Sequence, residues 1–284
     1  MSAVVRKGAI RLVVNADDLG LHPAIDSGIL RAHREGIVTS ATVLVTGRSA
    51  PEAIGQSRRQ GLPIGVHLCL TTGLPPASEP KEARSLAPDG KFRASWKEVV
   101  VAWLSGSLRL NEVEREFRAQ IALARKLGAE PDHLDGHQHL HVLPGIAAVV
   151  RRIAREEKLP VRWPKAAPSL WWIRRPGAAL KTSLIAALSR LARDGVAGLP
   201  GIGTFEAGAL TETALLALLA RLKPGSYEIG CHPGETVGAV PEQPHWRYAW
   251  DQELRALCSP RVKGLVSERG IVLSSYALIA ERPR

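Results

Sequence analysis

Cysteine is scarce in this chain: Cys69, Cys231 and Cys258 stand far apart, with no Cys-x-x-Cys pair. That excludes a disulfide framework or a cysteine-built zinc knuckle and fits small buried thiols in a reducing compartment. Long apolar runs are missing too, since no stretch approaches the roughly 18 residues that a membrane-spanning helix requires. The first ten residues lack the apolar core of a secretory signal, so a cytoplasmic location is expected. Acidic residues are outnumbered, 27 against 38 Lys and Arg, for a net charge of +11. The basic residues are dispersed, as at Arg58-Arg59 and Arg151-Arg152, without a dense tract interleaved with aromatics. This argues against nucleic acid as a partner, whereas an anionic substrate or membrane surface suits the charge. No internal repeat is visible. At 284 residues, 45% of them hydrophobic, the chain can bury one large core or two modest ones.

Histidine, by contrast, is concentrated. Four of the nine fall in His133-Leu134-Asp135-Gly136-His137-Gln138-His139-Leu140-His141, at odd positions that they share with Asp135. In an extended backbone this period sets all five polar groups on one face, a donor set suited to a borderline metal such as zinc. A histidine-rich solvated turn is the plainer alternative. Spacing leaves open whether His137 or His139 is the ligand. Two other apolar runs carry polar groups that need partners when buried: Arg11–Gly20, which ends in Asp17-Asp18, and Leu62–Leu70, which holds His67. Adjacent carboxylates repel unless a cation lies beside them. Taken alone, Asp17-Asp18 could cap the helix that begins near Pro23, and His67 could be a satisfied core histidine. The three segments together favour a metal site.

Strand-like runs are predicted at Ile10–Ala16, Thr39–Val45, Ile64–Leu70, His133–His137, Val161–Trp163, Gly201–Phe205, Tyr227–Cys231 and Gly270–Ser275. Helical patterns are predicted between them at Pro23–Glu35, Ala50–Gln60, Asn111–Leu127, Gly145–Glu157, Ala178–Arg193, Thr211–Leu222 and Arg247–Leu257. In Asn111–Leu127 the apolar stripe is Val113, Phe117, Ile121 and Ala124, with Glu112, Glu114, Arg115 and Arg118 off it. Alternation of this kind predicts an α/β fold: one (β/α) barrel over residues 1–284, regular or distorted, with seven or eight parallel strands. The acidic and histidine residues fall at the C-terminal strand ends, where such barrels build active sites. A Pro- and Gly-rich insertion over about 71–94 follows His67 and is expected to act as a lid.

These residues carry a resemblance. Ala16-Asp17-Asp18-Leu19-Gly20, Thr39-Ser40-Ala41-Thr42, Gly65-Val66-His67-Leu68, Asp135–His141 followed by Pro144, and Cys231-His232-Pro233-Gly234 occur in the order of the YdjC-like (ChbG/HpnK) carbohydrate deacetylases, which the chain resembles from residue 11 to about 235. The resemblance implies a fold related to polysaccharide deacetylases and a hydrolase that removes acetyl from an N-acetylated sugar. It implies one divalent metal ion, zinc or magnesium, held by Asp18, His67 and His137. It also implies Asp17 as general base and His232 as general acid. Asp135, His139 and His141 are then left to orient His137 or to touch substrate. Arg162 falls where the family often has an arginine, able to hold a sugar hydroxyl or carboxylate. Trp163 could stack on a pyranose or serve the core.

Ser169–Arg193 pairs Trp171-Trp172 and clustered arginines with an apolar helical stripe. It reads either as a barrel helix with a basic outer face or as an interfacial segment. The second reading predicts peripheral membrane contact at the inner face and a lipid-linked sugar. A homodimer is compatible with the sequence. Two rival functions are a metal-dependent phosphoesterase, which would need a second metal and more carboxylates, and a basic polyanion-binding protein with structural zinc.

Overall fold

The computed structural model describes residues 9–164, 176–192, 199–203, 206–236, 240, 246 and 248–280. The central strand is β1 (Ile10–Leu19), whose Leu12, Val13 and Val14 are fully buried, as a strand covered on both faces requires. The other strands are β2 (Ser40–Val43), β3 (Ile64–Leu68), β4 (Leu134–Gly136), β5 (Trp163–Pro164), β6 (Pro200–Ile202), β7 (Gly225–Cys231) and β8 (Val272–Leu273). All pair in parallel, in the order β4-β3-β2-β1-β7-β6-β5. One edge of β1 carries β7 from Ile10 to Ala16; β8 pairs with it at Arg11 and Leu12, and β2 at Asn15, Ala16 and Leu19. A single parallel bridge, Leu134 to Val161, joins the two ends of the sheet. Its hydrogen bonds run from Leu134 N–H to Pro160 O and from Arg162 N–H to Leu134 O, both 2.9 Å. The result is the expected parallel barrel, distorted at this thin seam.

Helices α1 (Pro23–Glu35), α2 (Ala50–Gln60), α4 (Leu110–Lys126), α5 (Ile146–Glu157), α6 (Pro176–Ala192), α7 (Glu212–Ala220) and α8 (Trp250–Cys258) match predicted segments to within a few residues. Of the predicted segments, Ser169–Arg175, Arg193, Thr204, Phe205 and Arg247 lie outside the described residues. Three helices had no predicted counterpart: α3 (Trp96–Leu104), α9 (Pro260–Glu268) and α10 (Tyr276–Ala280). The Trp96–Leu104 sequence is a valine-rich apolar run whose start is marked by a capping box, Ser95 Oγ accepting from Glu98 N–H and donating to the Glu98 carboxylate. Before α9 a readable signal exists, because Ser259 Oγ accepts from the N–H groups of Arg261 and Val262 just ahead of the helix. The cap of α1 is His22, whose Nδ1 accepts from Ala24 N–H at 3.2 Å, and not Asp17 or Asp18.

The insertion at 71–94 is pinned to α4. Glu116 accepts from the N–H groups of Ala77 and Ser78, both at 2.9 Å, and Glu112 accepts from Ser85 N–H at 2.7 Å. Glu112 therefore lies off the apolar stripe of α4 and is still buried, because the insertion covers that face.

The histidine run departs most from expectation. Only Leu134–Gly136 is strand; His137–Val142 is a 3₁₀ turn in which Gln138 and His139 are left-handed, at φ 53° and 59°. The two-residue period therefore ends at Gly136 and the five polar groups do not share one face. His133 pairs with Asp132 at 2.7 Å and stacks on Tyr276 at 3.9 Å.

Close backbone contact locks α1 to the loop after β7. A methyl group at Gly28 would collide with Gly234, and Glu235 N–H donates to Ala24 O at 2.7 Å. Gly28→Ala should therefore destabilise the protein by about 1–3 kcal/mol through overpacking. Denaturant unfolding measures this, and a midpoint equal to wild type would mean that the α1 contact yields freely.

Candidate active site

Six of the predicted residues converge at the C-terminal ends of the strands, around a cavity of about 750 Å³ walled by Asp17, Asp18, His67, His137, His139 and His232 among others. Neighbours on a strand normally face opposite sides. Here the β1–β2 register shifts between Ala16 and Leu19, and Asp18 is left-handed at φ 69°, so both carboxylates reach the same cavity.

Asp18 Oδ1 lies 2.9 Å from His137 Nδ1 and 3.5 Å from His67 Nε2. All three side chains are buried, and each can bring one ligand atom within 4.8 Å of the others. Despite this closeness Asp18 Oδ1 has no well-directed hydrogen bond among the described residues. Buried polar atoms are rarely left so unless something else partners them. An oxygen and two imidazole donors facing one point fit a divalent ion. Burial works to raise the Asp18 carboxyl, but His137, with His67 and His232, outweighs it and holds the group down to about 2. Burial opposes charge on His67 as well. Asp135, whose Oδ2 lies 2.9 Å from His67 Nδ1, overcomes that with help from Asp17 and Asp18 and pushes the imidazole up to about 9. At His137 burial prevails, and the ring is held below the ordinary imidazole range.

Asp17 is gripped from one side. Its Oδ1 accepts from Arg162 Nη1 at 2.5 Å, Asn15 Nδ2 at 2.9 Å and Thr42 Oγ1 at 3.3 Å. Its Oδ2 faces His232 Nε2 at 3.7 Å. His232 is steadied by Glu253, which accepts the His232 backbone N–H at 2.5 Å and lies 3.9 Å from Nδ1.

Arg162 and Trp163 are not placed to touch a sugar. Both are buried and neither walls the cavity. Trp163 packs beside His141 at 5.3 Å, while Arg162 joins Asp17, Asp135 and Glu228. Asp135 is likewise buried; it groups both with His139 and His141 and with Asp17 and His67. Sequence reasoning missed the aromatic wall. Trp246 stacks on His137 at 5.1 Å and Tyr248 lies 4.7 Å from His232, with Trp250 behind them. The alternation Trp-x-Tyr-x-Trp was the available signal. Trp96, Lys97 and Lys181 at the mouth were missed as well.

This layout defines a barrel protein with a candidate metallohydrolase centre. The chain belongs to the YdjC-like protein family, whose model matches residues 11–268. It is 31% identical to a mouse carbohydrate deacetylase, covering 96% of each chain. It is also 31% identical to a chitooligosaccharide deacetylase of Serratia marcescens, over 93% of this chain and 97% of that one. Among solved structures it is similar to a protein of Enterococcus faecalis V583 proposed to cleave cellobiose phosphate. That similarity has a TM-score of 0.76 and 29% identity, over 95% of this chain and 99% of the other.

One guanidinium serves three carboxylates at Arg162, and they do not all stay charged. Burial pushes Glu228 up to about 8 against the pull of Arg162 and of Tyr276, whose hydroxyl donates to it. A carboxyl raised on folding stabilises the fold below its unfolded value of 4.5, and that contribution fades as pH climbs toward 8. Glu228→Gln removes this titration, so its melting temperature should fall less than that of wild type between pH 5 and 8. Parallel profiles would show that Glu228 is charged throughout.

Proposed function

We propose that the protein is a metal-dependent deacetylase that releases acetate from an N-acetylated amino sugar. The observation that carries this reading is the pairing of a buried Asp18–His67–His137 donor set with a separate, oriented carboxylate on Asp17. The deacetylase names of the two relatives favour an amide over a phosphate ester. Asp18, His67 and His137 would hold the ion, and two imidazoles with one carboxylate suit zinc better than magnesium, which prefers oxygen donors. A divalent ion there supplies Lewis acidity to the amide carbonyl and to the attacking water.

The chain's own groups do the rest. Three donors saturate Asp17 Oδ1 and fix the carboxylate plane, which leaves Oδ2 to accept the proton of water. His232 Nε2, held by Glu253 across from Oδ2, gives the proton that the departing amine requires. Trp246 and Tyr248 offer flat apolar faces against which a pyranose can lie.

The base and a metal ligand sit side by side in sequence but should fail differently. Asp17→Asn should keep its metal while kcat falls roughly 10²–10⁴-fold. Asp18→Ala should lose the metal together with turnover. Metal analysis after gel filtration, alongside kinetics, separates the two, and normal turnover in Asp17→Asn would remove Asp17 from the base role.

A lipid-linked form of the sugar is supported by the surroundings of the mouth. On α6, Leu180 and Leu184 are 73% and 59% exposed beside Lys181 and Thr182 of the cavity wall. On α3, whose Trp96 also walls the cavity, Val101 and Leu104 are 65% and 70% exposed. Acetate release from N-acetylglucosaminyl compounds, free and lipid-linked, tests both levels of the reading. Activity on both classes with a higher kcat/KM for the lipid-linked one is expected. A preference for free oligosaccharides would refute the lipid reading alone, and no acetate from any of them would refute the deacetylase.

A further inference from the structure

Beyond the Asp18 donor set lies a second convergence of ligating side chains. Asp135, His139 and His141 each offer one ligand atom, all within 4.8 Å of one another. Asp135 and His141 are essentially inaccessible to solvent, at 0% and 1% exposure, and His139 is half-buried on the cavity wall.

Their hydrogen bonding shows which atoms are spoken for. His141 Nε2 lies 2.9 Å from the carbonyl oxygen of Arg162, which can only accept, so that nitrogen carries the proton and Nδ1 keeps its lone pair. A ring nitrogen donating to a backbone carbonyl while the other stays bare is the usual posture of a metal-binding histidine. Asp135 Oδ2 is occupied by Arg162 Nη1 at 2.8 Å and lies 2.9 Å from His67 Nδ1. What remains is Asp135 Oδ1, His139 Nδ1 and His141 Nδ1, and none of these buried atoms has a hydrogen-bond partner among the described residues. Three unpartnered polar atoms in one buried group are costly unless a ligand satisfies them.

We propose that Asp135, His139 and His141 form a second divalent-cation site, of zinc type, bordering the first through the Asp135 carboxylate. Two imidazoles and one carboxylate oxygen select a borderline ion such as Zn²⁺ or Co²⁺ over Mg²⁺. Arg162 already shares the Asp135 charge, so the second ion binds more weakly than the first. Because Asp135 Oδ2 also faces His67, occupancy at Oδ1 draws on the charge that orients a ligand of the first site. The proposal does not depend on the substrate, and its test reads metal content.

Equilibrium dialysis of the metal-stripped full-length protein against rising Zn²⁺ counts the equivalents. Wild type should bind one tightly and a second at higher concentration, whereas Mg²⁺ in excess should not fill the second. His141→Gln and His139→Ala should each lose the weaker equivalent and keep the tighter one, with folding checked by circular dichroism. His139→Ala, on the cavity wall, keeps the test valid if the deeper substitution perturbs the fold. Asp18→Ala should show the reverse pattern, losing the tight equivalent and keeping the weak one. Saturation of wild type at one equivalent, or a second equivalent surviving in both histidine variants, overturns the proposal. Loss of neither equivalent in Asp18→Ala would instead count against the first site.

Discussion

The Arg162 guanidinium is the interaction on which the site depends. Its backbone N–H makes one of the two hydrogen bonds that close the barrel between β4 and the entry to β5. Its side chain then reaches Asp17 of β1, Asp135 of β4 and Glu228 of β7. The neighbouring strands β1 and β7 are thereby tied to the distant β4 through one buried cation. Closing the barrel and orienting the carboxylate beside the donor set are the same event. Gly230 on β7 makes room for it, since any side chain there would collide with the guanidinium.

Buried charge clusters are poor sources of stability, because desolvation consumes most of the Coulombic gain, yet removing one member leaves an uncompensated charge. This cluster lies directly beneath the cavity, and its members aim other groups. Arg162 turns Asp17 Oδ1 away from the cavity, Asp135 orients His67, and Glu253 holds the His232 loop. The geometry suits chemistry better than it suits stability. The same economy governs β1, where a register shift and one left-handed aspartate bring adjacent carboxylates to a single cavity with separate duties.

Much of this was legible in the sequence. Strand–helix alternation predicted the parallel barrel, and polar residues at the ends of apolar runs located Asp17, Asp18, His67, His137 and His232. What escaped has physical causes. The Arg162–Asp17 pair is 145 residues apart in the chain, and no local pattern reports a contact that only barrel closure creates. Two consecutive left-handed residues at Gln138 and His139 defeat any period argument, because they depend on tertiary support and not on propensity. Glu112 looked like a solvated position on an amphipathic helix, and only the insertion folding over this face makes it, with Glu116, a buried anchor. The aromatics at 246, 248 and 250 follow the last polar motif, and no local pattern reports that Trp246 and Tyr248 lie against His137 and His232.

Charge balance links these observations. Asp17, Asp18 and Asp135 bring three carboxylates to the base of the cavity, while Arg162 and the imidazolium of His67 bring two positive charges near neutrality. Without an ion, that count leaves one buried negative charge uncompensated. A divalent ion bound at Asp18, His67 and His137 must displace the His67 proton, because a ligating imidazole nitrogen cannot be protonated. The exchange replaces one positive charge with two, and the base of the cavity becomes neutral. A second ion at Asp135 adds charge that nothing else in this group offsets, so the count that favours a divalent ion at the first site makes binding at the second weaker.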